Sequence, residues 1–390
     1  VKKIKINISE GIKFPHPYIL KSRILEIPVN MEKGAEVTLI NKQGKIVGTG
    51  FYNPDTYKTV RIHTYGEVKF LDYKEIEKRI KKAFKKRKEF FNEEESFRLI
   101  FSESDLLTGL IIDKIGKGFV IQINSAGMEK KREFIIKALK EIFEPEFIYE
   151  KSDSFARKEE GLENFKKLLF GNFKNPCEIF TEGLYFLVDI ENGQKTGFFL
   201  DQKSNRLEMA KYAKGKVCLD LFSYTGAFSI HFLKNGAEKV FAIDISERAL
   251  KLLKENTRIN NLDERKLTVI EGDVFEKLRE IKQWKIEFDL IINDPPSFTH
   301  KKRKKENALK GYKNLHSEIF DILKGKGILA TFSCTHAIDI KDLIETISGV
   351  QKSRDFVIGL KKFLFQSPCH PIVFYFPESF YLKGVVLSKD

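Results

Sequence analysis

Short stretches of alternating apolar and polar residues fill the first 72 positions. EVTLINKQGKIVGTGFYNP (36–54) reads as a strand, a turn at Gln43-Gly44 and a second strand, and KTVRIHTYG (58–66) reads as another. The period then changes. In YKEIEKRIKKAFKKRKEFF (73–91), Ile76, Ile80 and Phe84 share one helical face while Lys and Arg occupy the rest. Further on, GLIIDKIGKGFVIQIN (109–124) predicts a hairpin turning at Gly116-Lys117-Gly118. MEKKREFIIKALKEIF (128–143) predicts an amphipathic helix, and EFIYEKSD (146–153) a strand. From about residue 180, KVCLDLF, KVFAID, LTVIEGD, FDLIIND and GILATFSC are short apolar strands, most of them separated by helix-like stretches. That alternation predicts an open α/β sheet whose strand ends line a ligand crevice. The expected fold is therefore multidomain α/β, partitioned at 1–72 (a small β-rich module), 73–91 (a basic linker helix), 92–178 (a central α+β domain) and 179–390 (a Rossmann-like domain with a mostly parallel sheet).

A chain of 390 residues agrees with two or three domains. No run of about eighteen apolar residues exists, and VKKIKINISEGIKF at the start lacks a signal peptide's continuous apolar stretch. Cys177, Cys218, Cys334 and Cys369 lie far apart with no C-x-x-C pair. That argues against a disulfide scaffold or structural zinc and for a reducing cytoplasm. The seven histidines show no H-E-x-x-H spacing, so no metal is expected. The formal charge of +14 is uneven, with 21 Lys/Arg against 10 Asp/Glu in residues 1–91. Such a surface attracts polyanions, although lysine-rich surfaces also accompany heat adaptation.

The chemistry concentrates at the predicted strand ends. Asp220, Asp244, Asp273 and Asp294 each end, or nearly end, one of the first four strands. After the first comes a tight turn at Ser223-Tyr224-Thr225-Gly226, where Gly226 admits close approach of a ligand to the backbone. Neither G-x-G-x-x-G nor a G-x-x-x-x-G-K-[ST] phosphate loop is present. Asp244 suits a ribose diol, and Asp273 the edge of a purine. A ligand with ribose and adenine but no pyrophosphate fits this set, and S-adenosylmethionine is such a ligand. Asp294-Pro295-Pro296-Ser297-Phe298 closes the fourth strand with a stiff loop, offering an acid and an aromatic to a flat heterocycle. Five consecutive basic residues follow, Lys301, Lys302, Arg303, Lys304 and Lys305, placed to meet phosphates flanking a target base. In GQKTGFFLDQKSNR (193–206), a turn at Lys195-Thr196-Gly197 precedes a helix opened by Asp201 and Gln202, with Arg206 expected to point back at one of them.

Cys334 stands just past the fifth strand. Its position allows a nucleophile that adds to C6 of a pyrimidine, plain core filling, or, least, a metal ligand. Nucleophilic work requires a thiol that is exposed and partly ionised.

The chain resembles the class I methyltransferases that form 5-methylcytosine in 23S ribosomal RNA. The resemblance runs nearly end to end through SESDLLTGLIIDKIG (102–116), GQKTGFFLDQKSNR, DLFSYTGAF (220–228), EGDVF (271–275), NDPPSF (293–298), GYKNLH (311–316), TFSCT (331–335) and PESFYLKG (377–384). It implies an N-terminal PUA-like RNA-binding module ahead of the central and methyltransferase domains. It implies S-adenosylmethionine held by Phe222, Ser223, Tyr224, Gly226, Asp244, Asp273 and Asp294, capped by Gln194, Lys195, Thr196, Phe198, Asp201, Gln202 and Arg206. Cys334 and Asp294 would be catalytic. Pro295, Phe298, Lys301, Lys302 and Arg303 would bind substrate, which is 23S rRNA or a large-subunit assembly intermediate. The resemblance is also compatible with a homodimer. Other readings are methylation of uracil C5 or of an exocyclic amine, a non-catalytic RNA-binding assembly factor, and, weaker, an enzyme of small molecules.

Overall fold

The computed structural model describes residues 2–297 and 305–390. The chain divides into two compact units. One comprises residues 1–180, 188–200 and 368–379, and the other residues 181–187, 201–367 and 380–390.

In the first unit, a six-stranded sheet orders its strands Tyr18–Ile19, Val60–Tyr65, Ile46–Tyr52, Glu36–Ile40, Lys3–Ile6 and Ile24–Glu26. Alternation explains the inner face: Ile4, Ile6, Val37, Leu39, Val60 and Ile62 are buried together. The Gln43-Gly44 turn joins two of these strands as expected. A second sheet of five strands runs Phe165–Gly171, Phe147–Ser152, Gly118–Ile123, Leu110–Ile115 and Phe97–Phe101. The helix Tyr73–Arg87 begins where Asp72 accepts from the Glu75 amide at 2.8 Å. Its Ile76 and Ile80 join the core of the second sheet.

That helix departs from a plain basic face. Arg79 and Arg87 are buried. Arg87 forms a two-pronged pair with Asp105 at 2.7 and 2.6 Å, and Arg79 bonds Glu75, Thr64 and the carbonyls of His63 and Leu106. A buried guanidinium needs such partners, so two of the eight basic residues between Lys78 and Lys88 hold the unit together.

In the second unit, helix α1 (Lys203–Ala210) precedes a sheet built from β1 (Val217–Leu221), β2 (Lys239–Asp244), β3 (Leu267–Glu271), β4 (Phe288–Asn293), β5 (Leu323–Ser333), β6 (Ile358–Phe365) and β7 (Lys383–Lys389). The intervening helices are α2 (Ala227–Lys234), α3 (Glu247–Ile259), α4 (Val274–Gln283), α5 (Lys305–Ile322) and α6 (Ile340–Gln351). Strand order is β3-β2-β1-β4-β5-β7-β6. β1 to β5 are parallel, and β7 lies antiparallel between β5 and β6. The chain steps outward from β1 to β3 and then returns to the other flank of β1 as β4. Ligands of open α/β sheets bind at such a reversal, beyond the strands' carboxyl ends. The apolar runs are buried on both faces: Leu219, Leu221, Ile243, Ile291 and Leu329 belong to one cluster, Cys218, Leu290, Ile292 and Ala330 to another.

Among the described residues, no helix is long and apolar enough to cross a membrane.

Candidate active site

Between β1 and α2 the backbone turns through three left-handed residues, Phe222 (φ 59°), Tyr224 (φ 49°) and Gly226 (φ 77°). Two of them carry side chains, and such residues persist only where their surroundings over-determine them. Here the Ser223 amide donates to the Ile243 carbonyl at 2.9 Å and the Tyr224 amide to Asp244 Oδ2 at 2.8 Å. A Cβ on Gly226 would stand 1.6 Å from Leu253 Cδ1, so α3 closes directly on the loop. The Ser223 hydroxyl oxygen is buried without a hydrogen-bond partner among the described residues.

The four strand-end acids differ in environment. Asp220 is buried, and its Oδ2 accepts from the Ser229 amide (3.1 Å) and hydroxyl (2.6 Å). Burial pushes its carboxyl up to about 7, aided by the charges of Asp294 and Asp244 and opposed by the Ser229 bonds. Asp244 is half-buried and also accepts from the Ser246 amide at 2.9 Å. Asp273 is exposed and caps α4 through the amides of Phe275 and Glu276. Asp294 is half-buried beyond β4 and accepts from Gln202 Nε2 at 2.9 Å, while Asn205 Nδ2 donates to Gln202 Oε1 at 2.6 Å.

These groups fit a nucleoside without pyrophosphate. The loop contains a buried, unpartnered hydroxyl, its glycine leaves no room for a side chain, and a half-exposed carboxylate stands at the neighbouring strand end. Phe222, Ser223, Tyr224, Gly226 and Asp244 are the residues here that could hold such a ligand. For Asp273, helix capping is the role its bonds display.

β4 and β5 pair in parallel with Asn293 opposite Thr331, so Asp294 and Cys334 leave the sheet at the same edge, one strand apart. Cys334 is half-buried and packs against the cluster containing Phe228, Phe332 and Tyr381. Its loop is tied to the Pro295-Pro296 segment by Ser297 Oγ and Thr335 Oγ1, 3.1 Å apart. Beneath this edge, Asn293 Nδ2 donates to Thr331 Oγ1 (2.9 Å), which lies 3.0 Å from His316 Nε2, and His316 Nδ1 is 3.2 Å from Thr346 Oγ1. Burial lowers His316 to about 3, so the chain of bonds stays neutral. Two neighbours of the thiol lie in stretches that carry the resemblance, GYKNLH and PESFYLKG, but had no role assigned from sequence. Tyr312, fully buried on α5, has its phenol raised by burial and then by the negative charges of Cys334 and Asp294. Lys383, on β7, donates to the carbonyls of Thr335 and Ile338. Neither a periodicity nor a charge cluster marks these single residues.

Arg206 has a partner that the sequence did not suggest. Its Nε donates to Glu182 Oε2 at 2.8 Å and its other nitrogen reaches Oε1, while His231 Nε2 stands 2.8 Å from the same carboxylate. The partner is a hairpin residue 24 positions upstream, which helical spacing cannot reveal. Burial would raise Glu182, but Arg206 and His231 hold it down at about 2. Asp201 accepts from Tyr381 OH at 2.5 Å. Gln194, Lys195, Thr196 and Phe198 belong to the other unit. There Thr196 is buried and donates to Asp113 at 2.5 Å, Phe198 is buried, and Gln194 and Lys195 are exposed. Phe298, Lys301, Lys302 and Arg303 lie outside the described residues.

Residues 163–368 match the family described as S-adenosylmethionine-dependent methyltransferase, and residues 3–65 match the PUA-like domain. The chain is 36% identical over 383 residues to ribosomal RNA large subunit methyltransferase I of Pseudoalteromonas translucida, covering 97% of this chain and 96% of the relative. Identity to the protein of that name from Alteromonas mediterranea is 35% over 379 residues, covering 97% and 96%. In fold it is similar to the methyltransferase SMU.776 complexed with SAH (TM-score 0.85, 22% identity, full coverage of both chains). A SAM-dependent methyltransferase from Streptococcus mutans gives a TM-score of 0.83 at 21% identity, again covering both chains fully.

Proposed function

Because this chain belongs to the S-adenosylmethionine-dependent methyltransferase family and carries a PUA-like domain at its N-terminus, we propose that it methylates C5 of a cytosine in 23S ribosomal RNA, with Cys334 as the nucleophile. The observation that carries this reading is the placement of a half-exposed thiol one strand from the Asp294 carboxylate, at the carboxyl edge of the sheet. A pyrimidine C5 is a poor nucleophile until a thiolate adds at C6. In that addition the Cys334 sulfur–C6 bond forms and the C5–C6 π pair shifts to make C5 electron-rich. S-adenosylmethionine, when bound, supplies the methyl group as a sulfonium. Loss of the C5 proton to a base then lets the π bond re-form as the sulfur–C6 bond breaks. Exposed His336 stands two residues beyond the thiol at this edge.

Asp294 supplies a reason to favour cytosine over uracil. A carboxylate only accepts hydrogen bonds. It therefore pairs with the N4 amino group of cytosine and repels O4 of uracil. Gln202 restrains its orientation. Phe222, Ser223, Tyr224, Gly226 and Asp244 would hold the adenosyl portion, and the basic N-terminal module would engage RNA phosphates. The substrate class would be that of the relatives' name, large-subunit ribosomal RNA.

Incubation with 5-fluorocytosine RNA and cofactor tests the reading, since fluorine at C5 blocks the final elimination. The wild type should form a protein–RNA adduct that survives denaturation. Cys334→Ala should bind S-adenosylmethionine but yield neither adduct nor methylated RNA. Methylation persisting in Cys334→Ala would overturn the assignment.

A further inference from the structure

Lys383 opens β7 directly opposite Ser333, the last residue of β5, so it flanks the position from which Cys334 leaves the sheet. It is only 4% exposed. Its Nζ donates to Thr335 O at 2.9 Å and to Ile338 O at 2.7 Å, both in the turn that begins at Cys334. Among the described residues no carboxylate stands within ion-pair distance of Nζ. Carbonyl dipoles solvate a buried ammonium but supply no counter-charge, and an uncompensated buried charge is costly.

The groups facing this position narrow the choice of anion. On α6, Asp339 caps the helix and Asp342 pairs with Lys305 at 2.7 Å. On α5, Tyr312 keeps its proton. Beyond β4, Asp294 accepts from Gln202. His336 is exposed, its ring 6.3 Å from that of Tyr381. Burial lowers Lys383, and the strongest influence opposing it is Cys334, ahead of Asp339 and Asp342.

We propose that Lys383 is a positioning residue for Cys334, a buried cation that favours the thiolate and fixes the turn presenting it. The attraction exists only once the thiol has lost its proton to solvent, so it promotes ionisation at neutral pH. The inference rests on the reading of Cys334 as nucleophile, but its test does not require methyl transfer.

The test is the pH dependence of iodoacetamide alkylation on the full-length chain, followed at each cysteine peptide by mass spectrometry. In the wild type, Cys334 should alkylate at a lower pH than Cys177, whose thiol burial pushes up to about 11, with help from Glu146 and Glu178. Lys383→Gln keeps N–H donors for the two carbonyls but removes the charge. Its Cys334 profile should move up by about one pH unit, roughly a tenfold slower reaction near neutrality that recovers at high pH. Lys383→Arg should restore most of the shift. An unchanged profile in Lys383→Gln would overturn the proposal. So would slowing by the same factor at every pH, because that reports access rather than ionisation. Adduct formation with 5-fluorocytosine RNA, measured alongside, separates the two ideas. An adduct with an unmoved thiol profile sinks only the lysine's role, whereas a moved profile without an adduct sinks only the cytosine chemistry.

Discussion

Gln202 and Asp294 are 92 residues apart in sequence, yet Gln202 Nε2 donates to Asp294 Oδ2 across 2.9 Å. Asn205 donates to the oxygen of the same amide at 2.6 Å, which fixes which end of the amide faces the carboxylate. The start of α1 thereby sets the orientation of the acid that closes β4.

Removing this restraint should cost catalysis more than stability. A hydrogen bond to a charged group contributes about 1.5–3 kcal/mol, so Gln202→Leu should lower methyl transfer to rRNA by roughly tenfold or more. Asp294 is half-buried and water can replace part of the lost bond, so the urea midpoint should move little. Full activity in Gln202→Leu, measured with labelled S-adenosylmethionine, would show that Asp294 needs no such support.

The sequence was legible where a feature repeats. Alternation exposed the Glu36–Ile40 and Val60–Tyr65 strands, the switch to a helical period exposed Tyr73–Arg87, and five apolar runs with acids at or near the ends of the first four exposed the parallel sheet. Cys334 and Asp294 stood out because both follow such runs. Single long-range partners stayed hidden. Arg206 pairs with Glu182 across a hairpin, Arg79 and Arg87 turn inward from a helix that reads as basic, and Lys383 reaches Cys334's turn from an antiparallel strand 49 positions later. Pairing across a sheet depends on strand order, which no local pattern encodes.

Gly226 is required twice over. Its φ of 77° disfavours a side chain, and a Cβ would overlap Leu253 Cδ1. Backbone strain of about 1–3 kcal/mol adds to overpacking of about 1–3 kcal/mol. Gly226→Ala should therefore destabilise the chain by about 2–6 kcal/mol in urea denaturation and weaken S-adenosylmethionine binding. In a Leu253→Ala background the overlap disappears, and the same change should cost only the backbone share. Equal cost in both backgrounds would mean that the loop, not α3, sets the requirement.

Asp220 ties folding stability to pH. Its folded-state carboxyl is raised to about 7 from an ordinary 3.8, chiefly by burial. The folded state therefore holds a proton that the unfolded chain releases, and this stabilising contribution is complete below about pH 3.8. It fades as pH rises and is lost once pH passes about 7. Asp220→Asn keeps an acceptor for the Ser229 amide and hydroxyl but cannot ionise. Relative to the wild type it should gain stability between pH 5 and pH 8, by about 2–3 kcal/mol at 1.36 kcal/mol per unit of pKa. Parallel urea titrations at the two pH values measure the difference. A constant gap between variant and wild type would show that Asp220 is ionised throughout, and that the Ser229 bonds outweigh burial.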